Sequence, residues 1–234
     1  MSACQDCFAD ARKDGYKIET MIEIIPAVLV CNATDCQAKL LHPGLHSVAD
    51  MFQVDVLDGT MFDASCFADP SVISTWPNLP NIELHLMVHN PLPIIELWHS
   101  LIPSLKRVII HAELARPLGA ILERAQALGL EIGLALNPET SLDRVAHHLH
   151  NLDVVQIMGV HPGASGQPFL GEPILAKISR CHELHPNLII AVDGGVSLKT
   201  AKNLVNAGAS RLVAGSALWS AANPVEIYTQ LKAL

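Results

Sequence analysis

The sequence is short of charge, and of positive charge most of all. Only 16% of its 234 residues are Asp, Glu, Lys or Arg, and 15 basic residues stand against 23 acidic ones, a formal net charge of −8. A protein that grips nucleic-acid backbones needs the opposite balance, so nucleic acid is excluded as a general partner, although a small anion held by backbone amides is not. Long apolar runs are missing as well. Charges, prolines or histidines interrupt each one before it reaches the length of a membrane span, so no membrane partner is expected. The opening MSACQDCFADARKDGYK is too polar for a secretory segment, which leaves a cytoplasmic location as the expectation. Cysteine occurs six times (Cys4, Cys7, Cys31, Cys36, Cys66, Cys181) in a chain too large to need staples, which reads as reduced thiols. Cys4-x-x-Cys7 has neither a second cysteine pair nor a βαβ context, and reads as part of an N-terminal extension over residues 1–20.

What is present is apolar residue in quantity. Half the chain is hydrophobic, enough for one large core, and no linker or low-complexity stretch divides it. Short β-branched runs recur in a regular series: Ile22–Leu29, Phe52–Leu57, Ile82–Val88, Arg107–His111, Glu131–Leu136, Val154–Val160, Leu188–Val192 and Arg211–Val213. Segments with helical spacing lie between them, among them Leu118–Leu128, Leu142–Leu149 and Thr200–Ala207. Strand alternating with helix eight times predicts a parallel sheet buried on both faces, and in this length a single closed (β/α)8 TIM barrel over residues 21–234.

Such a barrel carries its active site at the C-terminal ends of its strands. In MFQVDVLDG (residues 51–59), Gln53 and Asp55 sit two apart, so a strand aims both at one face. Strand three offers His85 and Met87 on one face, strand six offers Met158, and strand seven ends at Asp193. Any one of these is explained as a satisfied core residue. An amide, two carboxylates and an imidazole converging on one mouth call for a ligand, and a metal ion satisfies several buried carboxylates at once. The histidines His147, His148 and His150 read as surface residues. The loops after strands six, seven and eight, HPGASGQPF, DGGV and AGSAL, are small and glycine-bearing, with a helix starting after strand eight. Exposed amides there form the phosphate cradle of many barrel enzymes, which makes a small-molecule sugar phosphate the expected partner.

Together VDVLDG, ELHLMVHNP, VIIHAE, GLALNPET, PGASGQPF, VDGGV and LVAGSAL resemble the blocks of the ribulose-phosphate 3-epimerase family, in order, from about Ile22 to Leu218. The resemblance implies a barrel enzyme that inverts C3 of a pentulose 5-phosphate, such as D-ribulose 5-phosphate or D-xylulose 5-phosphate, or of a related sugar phosphate, through an enediolate. It implies that Asp55 and Asp193 are the acid/base pair, since one group must remove the proton and another return it on the opposite face. It also implies a divalent metal (Zn, Mn, Fe or Co) held by Asp55, His85, Asp193 and the residue at position 53. Met87 and Met158 would line the planar intermediate, and Gly163, Gly166, Gly195, Gly215 and Ser216 would grip the phosphate. His111, in the HAE block, takes a structural or supporting role, and a homo-oligomer is expected.

Several positions depart from the family. Its metal-binding histidine on strand two is Gln53 here, a poorer ligand for zinc. Its two strand-one serines are Ala27 and Val30, its third pocket methionine is Leu57, and the loop after Gly59 reads TMFDA. In the strand-six loop His161 stands for Asn and Ala164-Ser165 for Phe-Gly. Retention of Asp55, His85 and Asp193 favours an active epimerase. Gln53 and Ala27 favour the alternative, a catalytically impaired member that binds a sugar phosphate in a regulatory or binding role. A decarboxylase or aldolase of related barrels would carry Asp-x-Lys-x-x-Asp on strand three, where ELHLMVH has no lysine.

Overall fold

The computed structural model describes residues 22–234. Cys4, Cys7 and the extension expected over residues 1–20 lie outside the described residues. Eight parallel strands, β1 (Glu23–Val28), β2 (Met51–Leu57), β3 (Asn81–Met87), β4 (Leu105–His111), β5 (Glu131–Leu136), β6 (Val154–Met158), β7 (Ile189–Asp193) and β8 (Arg211–Ala214), close into a barrel in chain order. β1 pairs with both β2 and β8, so no edge remains. The expected strands are all present, and no strand end moves by more than two residues.

Helices between the strands cover the outside: α1 (Ala33–Leu40), α2 (Pro43–His46), α3 (Pro70–Ile73), α4 (Pro91–Leu101), α5 (Leu118–Ala127), α6 (Glu172–Leu184), α7 (Ala201–Asn206), α8 (Ser216–Trp219) and α9 (Pro224–Lys232). Asn32 caps α1 through the Asp35 N–H, and proline opens α2, α3, α4 and α9 within the first two positions, where a missing N–H costs nothing. No helix of the described residues is long and apolar enough to cross a membrane.

Leu142–Leu149 corrects its expectation. It forms two single 3-10 turns, Leu142–Arg144 and Leu149–Asn151, with i to i−3 hydrogen bonds throughout. Its leucines have helical spacing and pack against the core, but both stay half-buried and only Val145 is fully buried, too little packing to hold a regular helix in place. Arg144 is drawn instead to the carbonyls of Ala112 and Leu114. His147 and His150 are exposed, as expected, but His148 is half-buried, and all three lie on turns.

Alternation along each strand separates two cores. Outward residues such as Phe52, Val54, Val56, Leu84, Leu86 and Ile110 pack with Ile95 and Trp98 of α4 in one continuous cluster. Inward residues form separate groups, Ile109 with Ala135, Val154, Met158 and Ala191, and Ile25 with Ala27 and Val213. At the N-terminal floor the interior is ionic. Arg107 donates to Glu83 and Glu131, at 2.7 Å each, and Arg211 to Glu23 at 2.6 Å. This floor leaves the opposite mouth free for chemistry.

Candidate active site

Period two on β2 turns Gln53 and Asp55 into the barrel, and register lays Asp55 beside His85 of β3. Asp193 ends β7. His85 Nδ1 lies 3.0 Å from Asp55 Oδ1 and 3.2 Å from Asp193 Oδ2, so one nitrogen serves two carboxylates. Gln53 does the same from below: Nε2 donates to Asp55 Oδ1 at 2.9 Å and to Asp193 Oδ2 at 2.8 Å. The ligand atoms of Asp55, His85 and Asp193 all fall within 4.8 Å of one another, close enough to share a cation. Burial holds the Asp55 carboxyl above its ordinary range; the hydrogen bond from His85 opposes this, and the charge of Asp193 reinforces it. For His85 burial opposes the charge, but the hydrogen bonds and charges of Asp193 and Asp55 outweigh it and push the pKa up to about 10.

Behind His85 runs a buried relay. His85 Nε2 meets His111 Nε2 at 3.0 Å, and His111 Nδ1 meets Glu113 Oε2 at 3.2 Å. Both Nδ1 atoms face carboxylates and so carry hydrogens, and the contact between the two Nε2 atoms needs one hydrogen more. The pair thus holds three protons and one positive charge. That charge belongs on His85, because burial first of all, helped by His85 itself, lowers the pKa of His111. Glu113 also accepts from the Asn137 N–H at 2.8 Å. Burial pushes its carboxyl up, but these donors prevail and bring it down to about 2.

One cavity opens over these groups. Asp55, His85, Met87, Met158, Gly163, Gly166, Asp193, Gly195, Gly215 and Ser216 all line it. Gln53, fully buried, sits behind the carboxylates and not on the cavity wall, and Leu57 is buried away from it. Ala27 lines the cavity and Val30 belongs to the outer core. Glycine is required where β6 and β7 end. Gly194 and Gly195 have φ of 95° and 69°, and a Cβ on Gly195 would lie 2.7 Å from Phe169 Cα. In the departing TMFDA loop Phe62 packs edge-on against His111, with ring centroids 5.4 Å apart, and roofs the relay.

Residues 23–219 match the model of the ribulose-phosphate 3-epimerase family. The chain belongs to this family. It is similar to the ribulose-phosphate 3-epimerase of Schizosaccharomyces pombe, 33% identical over 79% of this chain and 81% of that one. It is also similar to that of Bacillus subtilis, 29% identical over 91% and 99%. Among solved structures, a tryptophan synthase α-subunit from Pyrococcus furiosus superposes with a TM-score of 0.66 at 16% identity, over 90% of this chain and 96% of the other, a likeness of fold alone.

Four contributors to this epimerase-family site are not legible in the sequence. Gln156 of β6 donates to Asp193 Oδ2 at 3.0 Å, a second amide on the same oxygen. Its signal was one amide within VVQIM, two residues before Met158 and therefore on the inward face. Glu113 anchors the relay, and its signal was the acid two residues after His111. Lys39 and Trp219 line the cavity from α1 and α8, and only the fold brings them there.

Proposed function

We propose that this chain is a ketose-phosphate 3-epimerase acting on pentulose 5-phosphates, such as D-ribulose 5-phosphate and D-xylulose 5-phosphate, or on a related sugar phosphate. The observation that carries the reading is the carboxylate pair from β2 and β7 gathered on one His85 nitrogen, in a cavity that also exposes the glycine loops after β6, β7 and β8. Inversion beside a ketone needs a base on one face of the carbon and an acid on the other. Asp193 removes the proton on C3, and Asp55, whose carboxyl burial holds above its ordinary range, is the partner acid on the other face. Return of a proton from Asp55 to the opposite face completes the inversion. Met87 and Met158 supply an apolar wall that keeps water from the planar intermediate. His85, fixed by His111 and Glu113, keeps the two carboxylates in register. Gly163, Gly166, Gly195, Gly215 and Ser216 bind the phosphate.

The residues present also fit a divalent cation. Asp55, Asp193 and, once Nδ1 has given up its hydrogen, His85 would hold it, and Gln53 Oε1, a buried acceptor with no partner among the described residues, becomes a further oxygen ligand if the amide turns over. When bound, a Zn, Mn, Fe or Co ion supplies Lewis-acid polarisation of the ketone and hydroxyl oxygens. A cytoplasmic, homo-oligomeric protein belongs to the same proposal and is supported by family membership alone.

One observation favours a second reading, a member that binds a sugar phosphate without efficient turnover: the Gln53 amide spends its hydrogens on the very oxygens that would exchange protons. Proton NMR of D-ribulose 5-phosphate incubated with the purified protein distinguishes the two. The proposal predicts growth of D-xylulose 5-phosphate towards equilibrium. Bound sugar phosphate that stays unchanged, with each of the four metals added in turn, would establish the second reading.

A further inference from the structure

Composition and the glycine motifs imply an anion cradle made of backbone amides alone. The cavity holds one thing more. Among the described residues that line it, Lys39 is the only lysine or arginine. It comes from the last turn of α1, and its Nζ lies 5.4 Å from the ring centroid of Trp219, a cation–π distance. Trp219 is itself pinned to the glycine end of the cavity. Its indole Nε1 donates to the Ala27 carbonyl at 2.6 Å, and its backbone N–H to the Gly215 carbonyl at 3.1 Å. A Cβ on Gly215 would stand 3.8 Å from Ala27 Cβ and 4.0 Å from Ser165 Oγ. Ala27, Gly215, Ser216 and Trp219 thus form one patch of wall, and Lys39 lies along it.

The ammonium has no better use in the fold. The nearest acid on its own helix, Asp35, is held by Asn32 Nδ2 at 2.8 Å and is exposed. Burial pulls the Lys39 pKa below the ordinary lysine value, with Asp35 only partly offsetting it, as for an ammonium short of counter-charge. The electrostatics of the cavity supply the need. Asp55 and Asp193 line the same space, and the whole chain carries −8. A dianionic ligand entering it meets repulsion that amide dipoles must overcome unless a full positive charge helps.

We propose that Lys39 is an anion-binding residue: its ammonium, held on the Trp219 ring, pairs with the terminal phosphate of the ligand and makes the site select phosphate monoesters over uncharged sugars. This rests on the sugar-phosphate reading above and assigns part of the grip to a side chain outside the glycine motifs. Trp219 keeps the long lysine stem extended along the wall, so less rotamer freedom is lost when the anion arrives.

Calorimetric titration with inorganic phosphate tests it on the full-length protein, with Lys39→Met, Lys39→Gln and Lys39→Arg beside the parent and circular dichroism melts to establish folding. Methionine keeps the stem on the indole and removes only the charge, and glutamine provides a second neutral variant should methionine disturb folding. The expected result is phosphate binding weaker by about tenfold in both neutral variants, the worth of one charge-assisted contact, and within about threefold of the parent in Lys39→Arg. The dependence of affinity on salt should become shallower in the neutral variants. Parent-like affinity and salt dependence in folded Lys39→Met and Lys39→Gln would overturn the role of Lys39 and leave the cradle standing. A parent protein that binds no phosphate would overturn both.

Discussion

At position 53 an amide stands between two carboxylates, reaching Asp55 and Asp193 at 2.9 and 2.8 Å, while its own oxygen is buried without a partner among the described residues. An imidazole there would offer a nitrogen ligand; the amide offers one neutral oxygen, and only by turning its hydrogens away. Gln53→His is therefore expected to tighten binding of zinc or manganese by about tenfold or more, the scale on which metal sites respond to their surrounding groups. Calorimetric titration of both proteins checks this, and equal affinities would count against a metal site at these residues. Position 53 was legible because period two set it beside Asp55 in the sequence. Gln156 was not, because a single amide inside an apolar strand has the same appearance whether it satisfies the core or, as here, steadies Asp193. Lys39 was not legible, since the contact that gives it meaning spans from α1 to α8.

Among the elements, the strands were read from the sequence almost to their ends, because residues buried on both faces of a parallel sheet must be β-branched and apolar, and turn residues bound them. The segment after β5 was not, because the spacing of Leu142, Val145 and Leu149 satisfies a helix while only Val145 is fully buried, too little to hold one. The short loop after β4 carries its own prediction. Folding lowers the pKa of Glu113 from 4.5 to about 2, so its charged form is the one the native state favours. That contribution is complete above the unfolded value and is lost as pH falls through the folded one. Glu113→Gln should thus melt below the parent near neutral pH. The gap should narrow as pH falls from about 5 to about 2, where the parent loses the same charge. Melting curves across that range check it, and a gap independent of pH would show that Glu113 is not the charged anchor of His111.

In the whole molecule the two ends of the barrel do different work. Glu83, Arg107, Glu131, Arg211 and Glu23 close the N-terminal floor with ion pairs, while Asp55, His85 and Asp193 face the mouth with Gln53 behind them. The floor was not read from the sequence, although Glu83 lies two residues before His85 and shares its inward face. Stripping buried Arg107 of this partner with Glu83→Gln should cost about 3 kcal/mol, at the low end for a buried pair because Glu131 still holds the other edge of the guanidinium. Urea unfolding measures that loss, and phosphate affinity should not change, since no floor residue lines the cavity. A large change in phosphate affinity at unchanged stability would contradict the division of labour.

The central claim is that Asp55 and Asp193 pass a proton across C3 of a bound ketose phosphate. The measurement that reaches it most directly is solvent exchange, with D-ribulose 5-phosphate incubated in deuterated water and followed by NMR with the parent protein, Asp55→Asn and Asp193→Asn. The account predicts deuterium at C3 and at no other carbon with the parent, and in the folded variants a loss of at least about a hundredfold in exchange rate. Exchange in both variants at the parent rate, or deuterium at another carbon, would contradict it.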